Sequence, residues 1–217
     1  LTFSNGAKVV LKPTTFKDDE ILLTSFHKGG ISRYNAIDKY NATYAATVVQ
    51  QMGIGDFSPT DLSKFLAGKS VSVSPRITGL SAGVSGNSTV KDFETMLQLV
   101  YLYLTSPRKD EALFNAWKEK QKSAVQFSMQ DPQTSFVDTF YQTLYQKNPL
   151  APVAVPKPEY FDSINLSRAL EIYNSQLSDA NDFVFIITGS FNADSIKTLL
   201  ATYIGGLPHT NNEALFS

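Results

Sequence analysis

The sequence has no cysteine and two histidines among its 217 residues. Without a thiol, this chain can hold no disulfide, thiolate zinc site, iron–sulfur cluster or cysteine nucleophile. His27 and His209 lie near opposite ends of the sequence, which excludes every local metal motif built on a histidine pair. An excess of charge is also missing. Nineteen basic and twenty acidic residues leave a net charge of −1, so there is no electrostatic footprint for nucleic acid or an anionic membrane surface. The longest apolar runs, such as Leu99–Leu104, fall far short of the roughly 18 residues of a membrane span.

What is present is ordinary globular composition, with 42% hydrophobic and 18% charged residues. The chain opens at Leu1 on strand-like sequence and closes on a polar stretch from Thr210. It reads as a fragment: residues 1–208 form one domain and 209–217 begin a linker to a following one. Lys8–Leu11 and Ile21–Phe26 read as strands, separated by the polar Asp18-Asp19-Glu20. Ile37, Tyr40, Tyr44, Val48 and Met52 recur at three- and four-residue steps and predict a long helix from Tyr34 to Met52, stopped by Gly53. Ser58-Pro59 starts a short helix. Val71 and Val73, then Leu80, Ala82 and Val84, alternate with small polar residues and predict a second strand pair.

Four helices follow in the middle of the chain. Their stripes are Phe93–Leu104, Leu113–Phe127, Phe136–Leu144 behind an Asp131-Pro132 cap, and Leu166–Leu177, with a proline-rich connection before the last. Phe183–Ile187 reads as a buried strand, and Asn192 caps a final helix running to Tyr203. Strand pairs and helices come in blocks. The expected fold is therefore α+β, a two-layer sandwich with a mostly antiparallel sheet and helices packed on one face.

Several segments, in this order, resemble the insulinase/pitrilysin-type zinc peptidases, the inverzincins, relatives of the mitochondrial processing peptidase. Leu1–Val10 resembles the family's first hairpin. Gly29-Gly30-Ile31-Ser32 stands where the family leaves its second strand. Asp182–Asp194 followed by Tyr203–Pro208 resembles its closing strand–helix–Leu-Pro unit. The family carries His-x-x-Glu-His on the first long helix, two imidazoles for zinc and a Glu as general base, with a further Glu ligand on a later helix. The matching window here holds Ala46, Val49 and Gln50, and the later ligand position falls near Gln126. No His or Glu occurs between Tyr34 and Met52.

The resemblance thus implies a degenerate, non-catalytic domain of a zinc protease. Such a domain would form part of a peptide-binding chamber and pack against a catalytic domain of the same polypeptide or a homologous subunit. Zinc would sit in that partner and not in this chain. Kinship with bacterial members points to a periplasmic or otherwise extracytoplasmic setting. The alternative within the family is a structural, core-type scaffold subunit.

Other signals are weaker. Gly79-Leu80-Ser81-Ala82-Gly83 matches the G-x-S-x-G nucleophile elbow and raises a serine hydrolase using Ser81, but an elbow needs a helix directly after the Ser. His27 and His209 read as surface or loop histidines, and Asp18-Asp19-Glu20 as a solvated turn. Sequons begin at Asn41, Asn87 and Asn165 and carry no functional weight. Phe93, Phe114, Trp117, Phe127, Phe136, Phe140 and Tyr173 fall on apolar helical faces and read as core, because no basic patch interleaves with them.

Overall fold

The computed structural model describes residues 1–210; the rest of the expected linker, 211–217, lies outside the described residues. Five strands, β1 (Lys8–Pro13), β2 (Ile21–Lys28), β3 (Val71–Ile77), β4 (Ser81–Ser88) and β5 (Val184–Gly189), form one sheet in the order β1-β5-β2-β4-β3. β1 and β5 are parallel, and the other three pairings are antiparallel. The helices are α1 (Lys39–Met52), α2 (Pro59–Phe65), α3 (Phe93–Thr105), α4 (Glu111–Val125), α5 (Pro132–Leu144), α6 (Pro158–Asp162), α7 (Leu166–Leu177) and α8 (Lys197–Tyr203). This is the expected α+β sandwich with a mostly antiparallel sheet.

Period-two patterning places Val9, Ile21, Leu23, Val73, Val84, Phe185 and Ile187 on the inner sheet face, all buried. α1, α3 and α7 cover that face. Ala42, Ala45 and Ala46 give α1 a smooth side that permits close packing on α7. On the outer face Val10, Leu22 and Phe26 are exposed, so β5 is half-buried rather than buried on both faces.

Side-chain caps set several helix starts, those at Ser58 and Asp131 as the sequence suggested. Ser58 accepts from Asp61 N at 3.2 Å, Asp110 from Leu113 N at 3.0 Å, Asp131 from Thr134 N at 2.7 Å and Asn165 from Arg168 N at 3.0 Å. Buried Asn5 ties the two ends of the fold together: its Nδ2 donates to the carbonyls of Ile204 (2.8 Å) and Leu207 (3.1 Å).

Several expectations need correction. The first long helix begins at Lys39, not Tyr34, and Ile37 is 84% exposed. Asn35 Oδ1 accepts from Ile37 N (3.0 Å) and Asp38 N (3.3 Å), so a local turn takes the amides a helix would have used. Leu80 belongs to the β3–β4 turn and is exposed, while Ala82, Gly83 and Val84 are all buried. Gly83 is required there, because a Cβ would lie 2.0 Å from the Ser25 carbonyl oxygen. In place of backbone pairing at that point, Ser25 Oγ accepts from Val84 N at 2.9 Å. Asn192 caps the turn before α8 rather than the helix itself. Phe127, Phe136 and Phe140 are exposed, not core. Phe136 and Phe140 of α5 stay exposed, so the periodicity marks an apolar face that the described residues leave open.

Candidate functional site

The window expected to replace the metal motif lies in the middle of α1. Ala46 and Val49 are buried, and Gln50 is half-buried. Alkyl groups offer a divalent ion nothing, and an amide is a poor substitute for imidazole or carboxylate at zinc. The residues present therefore do not fit the metal. Gln126 is the exposed C-terminal cap residue of α4. Among the described residues, no group of three or more His, Cys, Asp or Glu stands together as a potential ion site.

The α1–α4 junction is filled instead by aromatic rings. Trp117 of α4 meets Tyr44 of α1 edge-on at 6.3 Å and Phe161 of α6 at 6.0 Å, and Tyr44 lies 5.1 Å from Phe161. Burial raises the Tyr44 hydroxyl pKa, helped by Tyr160. The start of α1 is anchored by Asp38, whose carboxylate takes a two-pronged grip from Arg168 of α7 at 2.9 and 2.6 Å. That guanidinium holds the Asp38 carboxyl below its usual range. Asn41 is buried on α1 and accepts from Asn165 N at 2.8 Å, a packed position for the first residue of a sequon.

Beside the start of α1 lies a cleft of about 320 Å³, walled by α5 and the chain from Lys147 to Val155. Tyr40 stacks on Tyr160 with centroids 4.4 Å apart, and Tyr141 of α5 and Tyr145, the residue just after that helix, line the same space. Burial raises the Tyr40 hydroxyl pKa and lowers that of Lys39. Sequence patterning singled out Tyr40 as part of a core stripe. It missed the cleft, because Tyr141 and Tyr145 follow no recognised motif and the opposite wall is more than ninety residues away.

His27 is buried, not a surface or loop residue, whereas His209 is exposed as expected. Its ring lies 4.7 Å from that of Phe183, and its Nε2 meets the Gln176 carbonyl. Burial lowers its pKa below the ordinary value, against the opposing pull of that carbonyl. Arg33 and Asp179 line the same polar cleft, of about 350 Å³.

Ser81 opens β4 directly after a turn, bonded to the Thr78 hydroxyl at 2.9 Å, and is followed by strand rather than helix. It pairs with Lys28, while His27 pairs with Ala82, which puts Ser81 and His27 on opposite sheet faces. The elbow geometry of a serine hydrolase is therefore absent at Ser81. Asp18 and Asp19 are exposed, with Glu20 bridged to Lys17 at 2.8 Å, as a solvated turn should be.

No protein-family profile matches the sequence. Individual proteins do. The chain is 27% identical over 210 residues to the zinc protease PQQL-like of Arabidopsis thaliana, covering 96% of this chain and 19% of that protein. It is 23% identical over 212 residues to the probable zinc protease PqqL of Escherichia coli K12, covering 98% of this chain and 22% of that one. The chain thus spans about a fifth of the length of the curated relatives it matches. Among solved structures, the periplasmic protease PqqL from Escherichia coli superposes with a TM-score of 0.81 at 22% identity, over 98% of this chain and 23% of that chain. A peptidase M16 inactive domain from Pseudomonas fluorescens superposes with a TM-score of 0.77 at 17% identity, over all of this chain and 52% of the other.

Proposed function

We propose that this chain, which belongs to the insulinase/pitrilysin-type (M16) peptidase family, is a non-catalytic domain of a larger zinc protease, residues 1–208 forming the domain. One observation carries the reading. The helix that would bear the metal motif holds Ala46, Val49 and Gln50, and it is built into the core by Val48, Val49 and Met52, each fully buried. Water activation at neutral pH needs a metal or a positioned base, and α1 supplies neither. The domain would instead wall part of a peptide-enclosing chamber and pack against a zinc-bearing catalytic domain of the same polypeptide or a homologous subunit.

The fivefold greater length of the matched relatives supports a companion domain. The periplasmic setting of the Escherichia coli protease supports an extracytoplasmic location. No helix among the described residues is long and apolar enough to cross a membrane. A core-type scaffold role shares the same fold and is separated from the chamber role by partner identity. A peptidase domain recovered with the full-length protein favours the chamber role.

The test is hydrolysis. Supplied with zinc, the 217-residue chain alone should cleave none of a set of quenched fluorogenic peptides. Cleavage that a chelator abolishes would overturn the proposal.

A further inference from the structure

The cleft between α1 and α5 has a composition that points to a ligand. Four tyrosines line it in two stacked pairs: Tyr40 on Tyr160 at 4.4 Å, and Tyr141 on Tyr145 at 6.0 Å. Its volume of about 320 Å³ is at the small end of the range for ligand pockets. That is room for one large side chain and the backbone carrying it.

The charge in the cleft is unbalanced. Asp138 lies at its base but is already occupied, by Lys157 at 2.9 Å and Gln142 at 2.6 Å. Lys39 and Lys147 also line it. Among the described residues neither lies within ion-pair distance of a carboxylate. Glu159 is exposed on the α6 side and acts on Tyr40 and Lys157. The Lys39 ammonium stands 5.5 Å from the Tyr40 ring centroid, and burial disfavours its charged form. A lysine held half-buried without a counter-ion gains most from an incoming anion.

The rim is shaped at a conformational cost. Gln146 and Lys147 are consecutive non-glycine residues with φ of 52° and 56°, in the left-handed region such residues seldom adopt. The turn is held by Lys147 N donating to Gln142 O at 2.9 Å and Gln146 N to Thr143 O at 3.1 Å. It brings Lys147 and Asn148 into the lining.

We propose that this cleft binds an acidic peptide segment carrying an aromatic side chain. The ring would enter between the tyrosine pairs, and flanking carboxylates would meet Lys39 and Lys147. Tyrosine hydroxyls would serve the peptide backbone. The proposal deepens the chamber-wall reading and rests on it for its biological sense. The binding itself can be measured on the chain alone.

The probe is unlabelled acetyl-Asp-Asp-Phe-Asp-amide, titrated into ¹⁵N-labelled protein and followed by NMR. The backbone amides of Tyr40, Tyr141, Tyr145 and Lys147 should shift together. The analogue acetyl-Lys-Lys-Phe-Lys-amide should bind at least about tenfold more weakly. Lys39→Gln and Tyr141→Ala should each weaken the acidic peptide by about tenfold or more, while Lys12→Gln on the outer sheet face should not. Lys39→Gln keeps the proposal testable if Tyr141→Ala perturbs α5. Equal affinity for both peptides, shifts outside the cleft, or no shift at millimolar peptide would overturn the cleft assignment and leave the non-catalytic reading untouched. Hydrolysis of either peptide would instead strike at that reading.

Discussion

In the window Ala46–Gln50, Ala46 and Val49 are buried and Gln50 is half-buried, and substitution at Val49 tests whether the window is packed core or opens on water. Val49 is fully buried on α1, a helix that packs against α7 and β3. Val49→Ala removes two buried methyl groups and should cost about 2 kcal/mol. Val49→Glu places a carboxyl with no polar partner in the same space. Burial raises a Glu pKa towards the 8–9 seen for fully buried carboxyls, so the folded chain holds the acid neutral while the unfolded chain ionises near 4.3. The unfolded state then loses protons first as pH rises, and each unit above 4.3 removes about 1.4 kcal/mol from stability. By pH 7 this amounts to about 3–4 kcal/mol, on top of about 1–3 kcal/mol for an unpaired polar group in an apolar site. The sum is comparable to the whole stability of an ordinary domain, about 5–15 kcal/mol. Urea unfolding followed by Trp117 fluorescence and far-ultraviolet circular dichroism should place Val49→Glu far below the parent at pH 7, with marked recovery at pH 5. Gln50→Ala should stay within about 0.5 kcal/mol. A Val49→Glu protein within about 1 kcal/mol of the parent at pH 7, or one indifferent to pH, would mean that the window opens on water and would refute the packing argument.

Three other outcomes are expected. His27 has a lowered pKa in the fold through burial, so the unfolded chain binds the proton more readily. Stability should be full above about pH 6.5 and decline as pH falls through the depressed folded value, and His27→Gln should flatten that decline in pH-dependent melts. Tyr173→Phe removes the buried bond to the Tyr103 carbonyl at 2.8 Å and should cost about 1–3 kcal/mol in urea unfolding by leaving that oxygen unpaired. Phe140→Ser, on the exposed face of α5, should change stability by less than about 0.5 kcal/mol in urea unfolding.

The architecture was largely legible because its signals are local. Alternating valines and serines marked β3, the alternation of Ala82 and Val84 with small residues located β4 without its true burial pattern, and Ser58 and Asp131 stand at the ends of the helices they cap. What was illegible depends on distant partners. Phe136 and Phe140 have the spacing of a core stripe, yet both are exposed on α5; spacing shows an apolar face, not what covers it. His27 looked like a loop residue because the sequence does not show that Gln176, far along the chain, closes over it. Asn35 shortened α1 by a side-chain turn that competes with the helix only once the chain bends there. That no His or Glu falls between Tyr34 and Met52 is a fact of the sequence itself. The tyrosine cleft is not legible there, because its walls come from α1, α5 and α6.

The central claim is that this domain has a peptidase's shape without its metal chemistry. Zinc content by mass spectrometry after dialysis against micromolar zinc tests it most directly. Substoichiometric zinc, unchanged by replacing His27 and His209, is the predicted result. About one tightly held zinc per chain, lost when either histidine is replaced, would contradict it.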